Sequence, residues 1–139
     1  MHLRRVIIIF LLFTSFIVCS QSSIPMSELS KGKSRKYILK QTNELFSGVA
    51  YGKYKNGTVG MKGEIVDGVF NGLWTWWYED GSKKRETIYL KGVKEGYSYW
   101  WYKNGIKKSE IKYSLNKNID QKRWDETGIL LPNPKMGRQ

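Results

Sequence analysis

The sequence predicts an all-β fold, an antiparallel array of β-hairpins repeating with a 24-residue period, and three observations predict it. Gly48, Gly72 and Gly96 are spaced by 24 residues, as are Gly57, Gly81 and Gly105, and as are Tyr54, Tyr78 and Tyr102. Asx-Gly pairs recur in the same phase at Asn56-Gly57, Asp80-Gly81 and Asn104-Gly105. The segments between them, such as LWTWWYE from Leu73 and KKRETIYL from Lys83, are rich in aromatic and β-branched residues. In-phase columns of this kind are the signature of a repeat whose units stack to share a core.

The elements follow in chain order. Residues 1 to 5, MHLRR, are basic, and the run from Val6 to Cys19 is apolar apart from Thr14 and Ser15. A basic start, an apolar run too short to span a bilayer comfortably and a small polar stretch, SQSS, read as a secretory signal over 1–20. Cys19 is open to two readings, the lipid-acceptor cysteine of a lipoprotein signal or a residue lost on cleavage after Ser20. Either reading places the protein beyond the inner membrane, in the cell envelope or the medium. Cys19 is the sole cysteine, so no disulfide within the chain is available. The stretch from 21 to 34 reads as a flexible tether, 35–131 as the repeat domain and 132–139 as a disordered tail.

Within the repeat domain each unit reads as two strands. Asn-Gly and Asp-Gly are the strongest short hairpin signals because a two-residue type I′ turn needs positive φ at both central positions. Gly68 and Gly92, with Gly72 and Gly96, bound a second turn that leads into the next hairpin. A fourth copy, KRWDETG, keeps Trp124 and Gly128 with one residue lost, and the segment from Lys31 to Gly48 reads as half a unit. Alternation with two-residue turns puts Tyr54, Met61, Ile65, Trp74, Trp76, Tyr78, Tyr89, Trp100, Tyr102, Ile111 and Tyr113 on one face, with Lys83, Arg85 and Lys107 among them. With no helix to cover the sheet, aromatic ladders are expected to supply its burial.

Composition narrows the chemistry. The 139 residues carry 24 Lys and Arg against 12 Asp and Glu, and without Arg4 and Arg5 the formal charge falls from +12 to +10. Such a balance favours anionic partners: an acidic polysaccharide, a lipid surface or an acidic protein. Export disfavours nucleic acid. The only histidine, His2, belongs to the signal, so histidine-based nucleophilic and metal chemistry is excluded from the mature chain and no cofactor is implied. Glu86 and Glu110 share a column, but each lies among lysines and arginines, and ion pairing accounts for them better than catalysis does.

The segments GLWTWWYEDG, from Gly72 to Gly81, and GYSYWWYKNG, from Gly96 to Gly105, resemble the second variant of the MORN repeat. That variant occurs in bacterial proteins often labelled antitoxin components of toxin–antitoxin systems. The resemblance spans about residues 35 to 131 and implies a β-hairpin solenoid with a binding or scaffolding role and no catalytic residues. This chain departs from the pattern at Ser98, which replaces the first tryptophan, and at Ala50, Gly52 and Lys53, which leave the first unit poor in aromatics. An antitoxin role meets a further obstacle, because an exported protein does not reach a cytosolic toxin.

The functional expectation is therefore a non-enzymatic binding or scaffolding protein that offers a basic aromatic sheet to an anionic envelope partner. The candidate binding residues are Trp76, Tyr78, Lys83, Trp100, Tyr102 and Lys107, with the lysines expected to pair across from the tyrosines. Two alternatives belong to other classes: a carboxylate-dependent enzyme acting on envelope polysaccharide, and an immunity-type partner of another protein.

Overall fold

The computed structural model describes residues 23–133. The expected signal segment with Cys19, and the tail from 134 to 139, lie outside the described residues. The protein is nearly all β. Its strands are β1 (Ile24–Pro25), β2 (Leu29–Lys31), β3 (Tyr37–Leu39), β4 (Gly48–Lys53), β5 (Val59–Val66), β6 (Val69–Trp77), β7 (Lys83–Leu90), β8 (Val93–Trp101), β9 (Lys107–Ser114) and β10 (Lys117–Arg123). One 3-10 turn, Met26–Glu28, interrupts them. Strands β4 to β10 form an antiparallel meander in chain order, β1 adds to β4 in parallel, and β2 and β3 form a separate two-stranded sheet.

Two turn types alternate, and they are distributed differently from expectation. The Asx-Gly turns have three residues. Gly81 N–H donates to Tyr78 O at 3.0 Å, and Tyr78 N–H donates to Ser82 O at 2.8 Å. The same pair of bonds closes the loops at Tyr54 and Tyr102, and only the glycines, at φ 89°, 86° and 82°, enter the left-handed region. The physical reason is the Asx side chain: Asn56, Asp80 and Asn104 each accept the N–H two residues on, at 2.9 to 3.0 Å, which holds a type I turn and leaves one glycine to close it. The two-residue type I′ turns are instead Asp67-Gly68, Lys91-Gly92 and Leu115-Asn116, with positive φ at both positions of each.

Neighbouring hairpins are tied at both ends. At one end the type I′ turn hooks onto the hairpin before it: Gly68 N–H donates to Phe46 O, Gly92 N–H to Phe70 O and Asn116 N–H to Lys94 O, at 2.8 to 3.0 Å. At the other end Tyr54, Tyr78 and Tyr102 donate their hydroxyls to the carbonyls of Trp77, Trp101 and Trp124 at 2.8 to 3.0 Å. The tyrosine column seen in the sequence is thus a set of cross-hairpin braces. Gly72 and Gly96, at φ 66° and 77°, sit where the ladders shift register inside β6 and β8, and such bulges bend and twist a strand.

The core lies at the N-terminal end. Leu29, Phe46, Ala50, Ile65 and Trp74 are buried together, with Tyr37, Phe70 and Tyr89 packed against them. Tyr37 stacks on Phe70 at 5.5 Å between centroids, and Phe70 on Trp74 at 3.6 Å. Trp74 fits because Gly63 lies beneath it; a Cβ there would come within 2.3 Å of the indole. The Trp74 indole N–H donates to Glu64 O at 2.8 Å, so this buried ring has its polar atom satisfied. Two expectations need correction here. The segment expected to be a tether is part of the fold from Ile24, because Ile24, Met26 and Leu29 are apolar enough to repay their ordering by burial. The sheet is also not left to cover itself at this end, since residues from 24 to 46 pack against the buried cluster.

Candidate functional site

Cross-strand register sorts the side chains into two faces. One row runs Gly52, Met61, Trp76, Arg85, Trp100, Ser109, Arg123 from β4 to β10, on what is called here the inner face, the side of Trp74. The neighbouring row, Lys62, Thr75, Glu86, Tyr99, Glu110, Lys122, points to the opposite, outer face.

The six residues expected to form one surface are divided between these faces. Trp76 and Trp100 flank Arg85 on the inner face, with its guanidinium 3.4 Å and 5.9 Å from the two ring centroids. Tyr78 and Tyr102 serve as braces through their hydroxyls, while Lys84 and Lys108 lie over their rings at 5.3 Å and 5.0 Å. Burial, followed by the nearby Asp80 carboxylate, raises the Tyr78 phenol above its usual value. Lys83 and Lys107 pair across from Trp77 and Trp101 rather than from the tyrosines. The cause is the third turn residue, which shifts Lys83 and Lys107 by one position, while a β-bulge at Lys84 and Lys108 restores the expected register from Arg85 and Ser109 onward.

On the outer face those lysines meet other aromatics. Tyr97, Tyr99 and Trp101 follow one another along β8 with ring centroids 6.0 Å apart at each step. Each ring carries an ammonium: Lys112 at 5.7 Å from Tyr97, Lys107 at 5.0 Å from Tyr99 and Lys83 at 5.2 Å from Trp101. Lys83 also bonds Glu86 at 2.7 Å and Lys107 bonds Glu110 at 3.0 Å. Both lysine side chains keep substantial exposure, 47% and 39%. Tyr97, Leu73 and Ile88 are exposed on this face, so the strip continues into an apolar margin. Sequence reasoning missed Tyr97, Tyr99 and Lys112 as a group with Lys83 and Lys107; the signal was present in the alternation and was displaced by the turn length.

The inner face has a different electrostatic character. Arg85 is half-buried, and its Nε, the Thr87 hydroxyl and the Ser98 hydroxyl are enclosed without hydrogen-bond partners. Desolvation lowers the Arg85 pKa from its ordinary value. Among the described residues no group of three Asp, Glu, Cys or His side chains is placed to hold a metal ion, and no helix is long and apolar enough to cross a membrane.

The fold and surfaces define a class, a meander of β-hairpins with a basic aromatic outer face. No protein-family model, curated protein or solved structure matches the chain.

Proposed function

We propose that this is an exported, MORN-like binding or scaffolding protein without catalytic activity, whose outer face engages an anionic partner of the cell envelope. The observation that supports it is the strip of Tyr97, Tyr99 and Trp101, each ring within 6 Å of a lysine ammonium, on the face opposite the one where described residues from 24 to 46 pack. Rings at a regular step beside cations suit a repetitive polymer, which stacks on the rings while its anionic groups meet the ammonium groups. The ion pairs of Glu86 and Glu110 account for those carboxylates without a reaction. Export and a MORN-like lineage rest on the sequence alone.

The test is retention from envelope extract on immobilised mature protein in rising salt. Partner capture should weaken as salt screens the contacts, and Lys83→Gln with Lys107→Gln and Lys112→Gln should abolish it while leaving the unfolding midpoint within a few degrees. Capture indifferent to both salt and the triple substitution would place the partner surface elsewhere. Turnover of envelope polysaccharide that is lost in Glu86→Gln would replace the binding reading with an enzymatic one.

A further inference from the structure

The inner face carries a second feature, independent of the outer strip. At 24-residue spacing, Gly52, Trp76 and Trp100 form one column and Gly60, Lys84 and Lys108 another. The first hairpin therefore lacks the ring and the ammonium that the next two hairpins bear. Neither Gly52 nor Gly60 has a positive φ, so backbone conformation does not require glycine at either position. What their missing side chains leave is filled by neighbours that pack against the bare backbone. A Cβ on Gly60 would lie 2.9 Å from the Tyr54 ring, and one on Gly52 would lie 3.0 Å from Met61 Cγ.

Beside that close packing a groove runs along Trp76. A cavity of about 240 Å³ is bounded by Gly52, Tyr54, Gly60, Met61 and Trp76, with Lys53 at its margin. Adjoining it, and sharing Tyr54, Gly60 and Trp76, a cavity of about 160 Å³ is lined by Lys84, Arg85 and Trp100. Through these shared residues the two form one continuous groove on the inner face. One half is apolar and flat-walled, and the other is cationic.

The cationic half is unsatisfied. Lys83 and Lys107 each hold a glutamate, whereas among the described residues no carboxylate forms an ion pair with Arg85, and its enclosed Nε has no hydrogen-bond partner. A partly desolvated guanidinium without an anion is costly, and its planar fork matches a carboxylate. Its stacking on Trp76 at 3.4 Å holds the plane of the fork ready.

We propose that this groove binds a carboxylated sugar residue, its ring against the Trp76 indole between Gly52 and Gly60 and its carboxylate against Arg85 and Lys84. A pyranose presents an apolar C–H face to an aromatic wall and its acidic group at the ring edge, which is the order of chemistry along the groove. An acidic peptide side chain would supply the carboxylate but leave the indole wall uncovered.

The experiment titrates the full chain with trigalacturonate, a neutral galactose trisaccharide and a triglutamate peptide, following tryptophan fluorescence and binding heat. Saturable binding is expected for trigalacturonate, with the other two about tenfold weaker or more. Arg85→Met and Gly60→Lys, the latter restoring the side chain of the later hairpins, should each weaken trigalacturonate binding by about tenfold or more, with circular dichroism and the unfolding midpoint as controls. If Gly60→Lys does not fold, Lys84→Met at the exposed rim makes the same test. The Lys83, Lys107 and Lys112 glutamine variant should bind as wild type, which separates this site from the outer strip. No binding of trigalacturonate, equal binding of the neutral sugar or the peptide, or indifference to both Arg85→Met and the groove substitution would overturn the proposal.

Discussion

The first hairpins of the sheet and the last are built on the same register but packed differently, and one inner row shows it. Trp74 pairs with Thr87, Thr87 with Ser98, Ser98 with Ile111 and Ile111 with Gln121. At the N-terminal end the row holds a fully buried tryptophan over a glycine, with its N–H bonded and residues from 24 to 46 packed nearby. One period later the same position is Ser98, a residue 1% exposed whose hydroxyl is unpaired. The backbone braces are equivalent in both halves, so the hydrogen-bonded frame repeats while the hydrophobic payload does not. Stability should therefore be concentrated at the start of the sheet, around the buried Trp74.

The largest way to break that contrast is at its centre. Trp74→Ala should destabilise by roughly 3 to 5 kcal/mol, the range for truncation of a buried aromatic, whereas Ser98→Ala should be near neutral because it removes an orphaned hydroxyl. Urea unfolding followed by fluorescence and circular dichroism measures both, and equal losses would end the distinction. Gly63→Ala should also be severe, since its added methyl has no room against the Trp74 ring.

The turns sharpen the comparison at intermediate size. Gly81→Val or Gly105→Val should cost about 1 to 3 kcal/mol by forcing a β-branched residue to positive φ. Leu115 holds φ 47° at 71% exposure with no glycine in its turn, so Leu115→Gly should stabilise the last hairpin by about 0.5 to 1 kcal/mol. Thermal unfolding of the pair would show opposite signs. Tyr78→Phe, which deletes one brace to Trp101 O, should cost about 1 kcal/mol.

The smallest expected effect concerns pH. Hydrogen bonds from Ser82 hold Asp80 below its usual carboxylate pKa, and bonds from Thr127 and Ile129 do the same for Asp125. A carboxylate depressed in the folded state contributes stability above its unfolded pKa and loses it as pH falls through the folded one. The turn at Asp80 and the loop that Asp125 closes with Ile129 should therefore loosen in acid, while the turns of Asn56 and Asn104 should not. Amide exchange at Ser82 and Thr127 across the acid range reads this directly, and Asp80→Asn should remove the pH dependence at Ser82.

What the sequence determined by itself is the hairpin array, because strands with period-2 patterning and glycines at recurring turn positions impose their geometry locally. The glycine, tyrosine and tryptophan columns also marked Trp76 and Trp100 as partners on one face, and Arg85 between them. Tertiary structure decided three things. Asx-Gly is compatible with both a two-residue and a three-residue turn, and the choice rests on the side-chain cap and the closing Tyr54, Tyr78 and Tyr102 pairs. That added turn residue, offset by the bulge at Lys84 and Lys108, carried Lys83 and Lys107 to the outer face and left Arg85 opposite Trp76. The apolar residues from Ile24 to Leu29 looked too sparse to fold, and only the ring cluster of Tyr37, Phe70 and Trp74 gave them a surface to bury. Gly52 and Gly60 were column departures in the sequence; that a groove runs from them to the Arg85 guanidinium depends on side chains from three hairpins meeting, which no local pattern encodes.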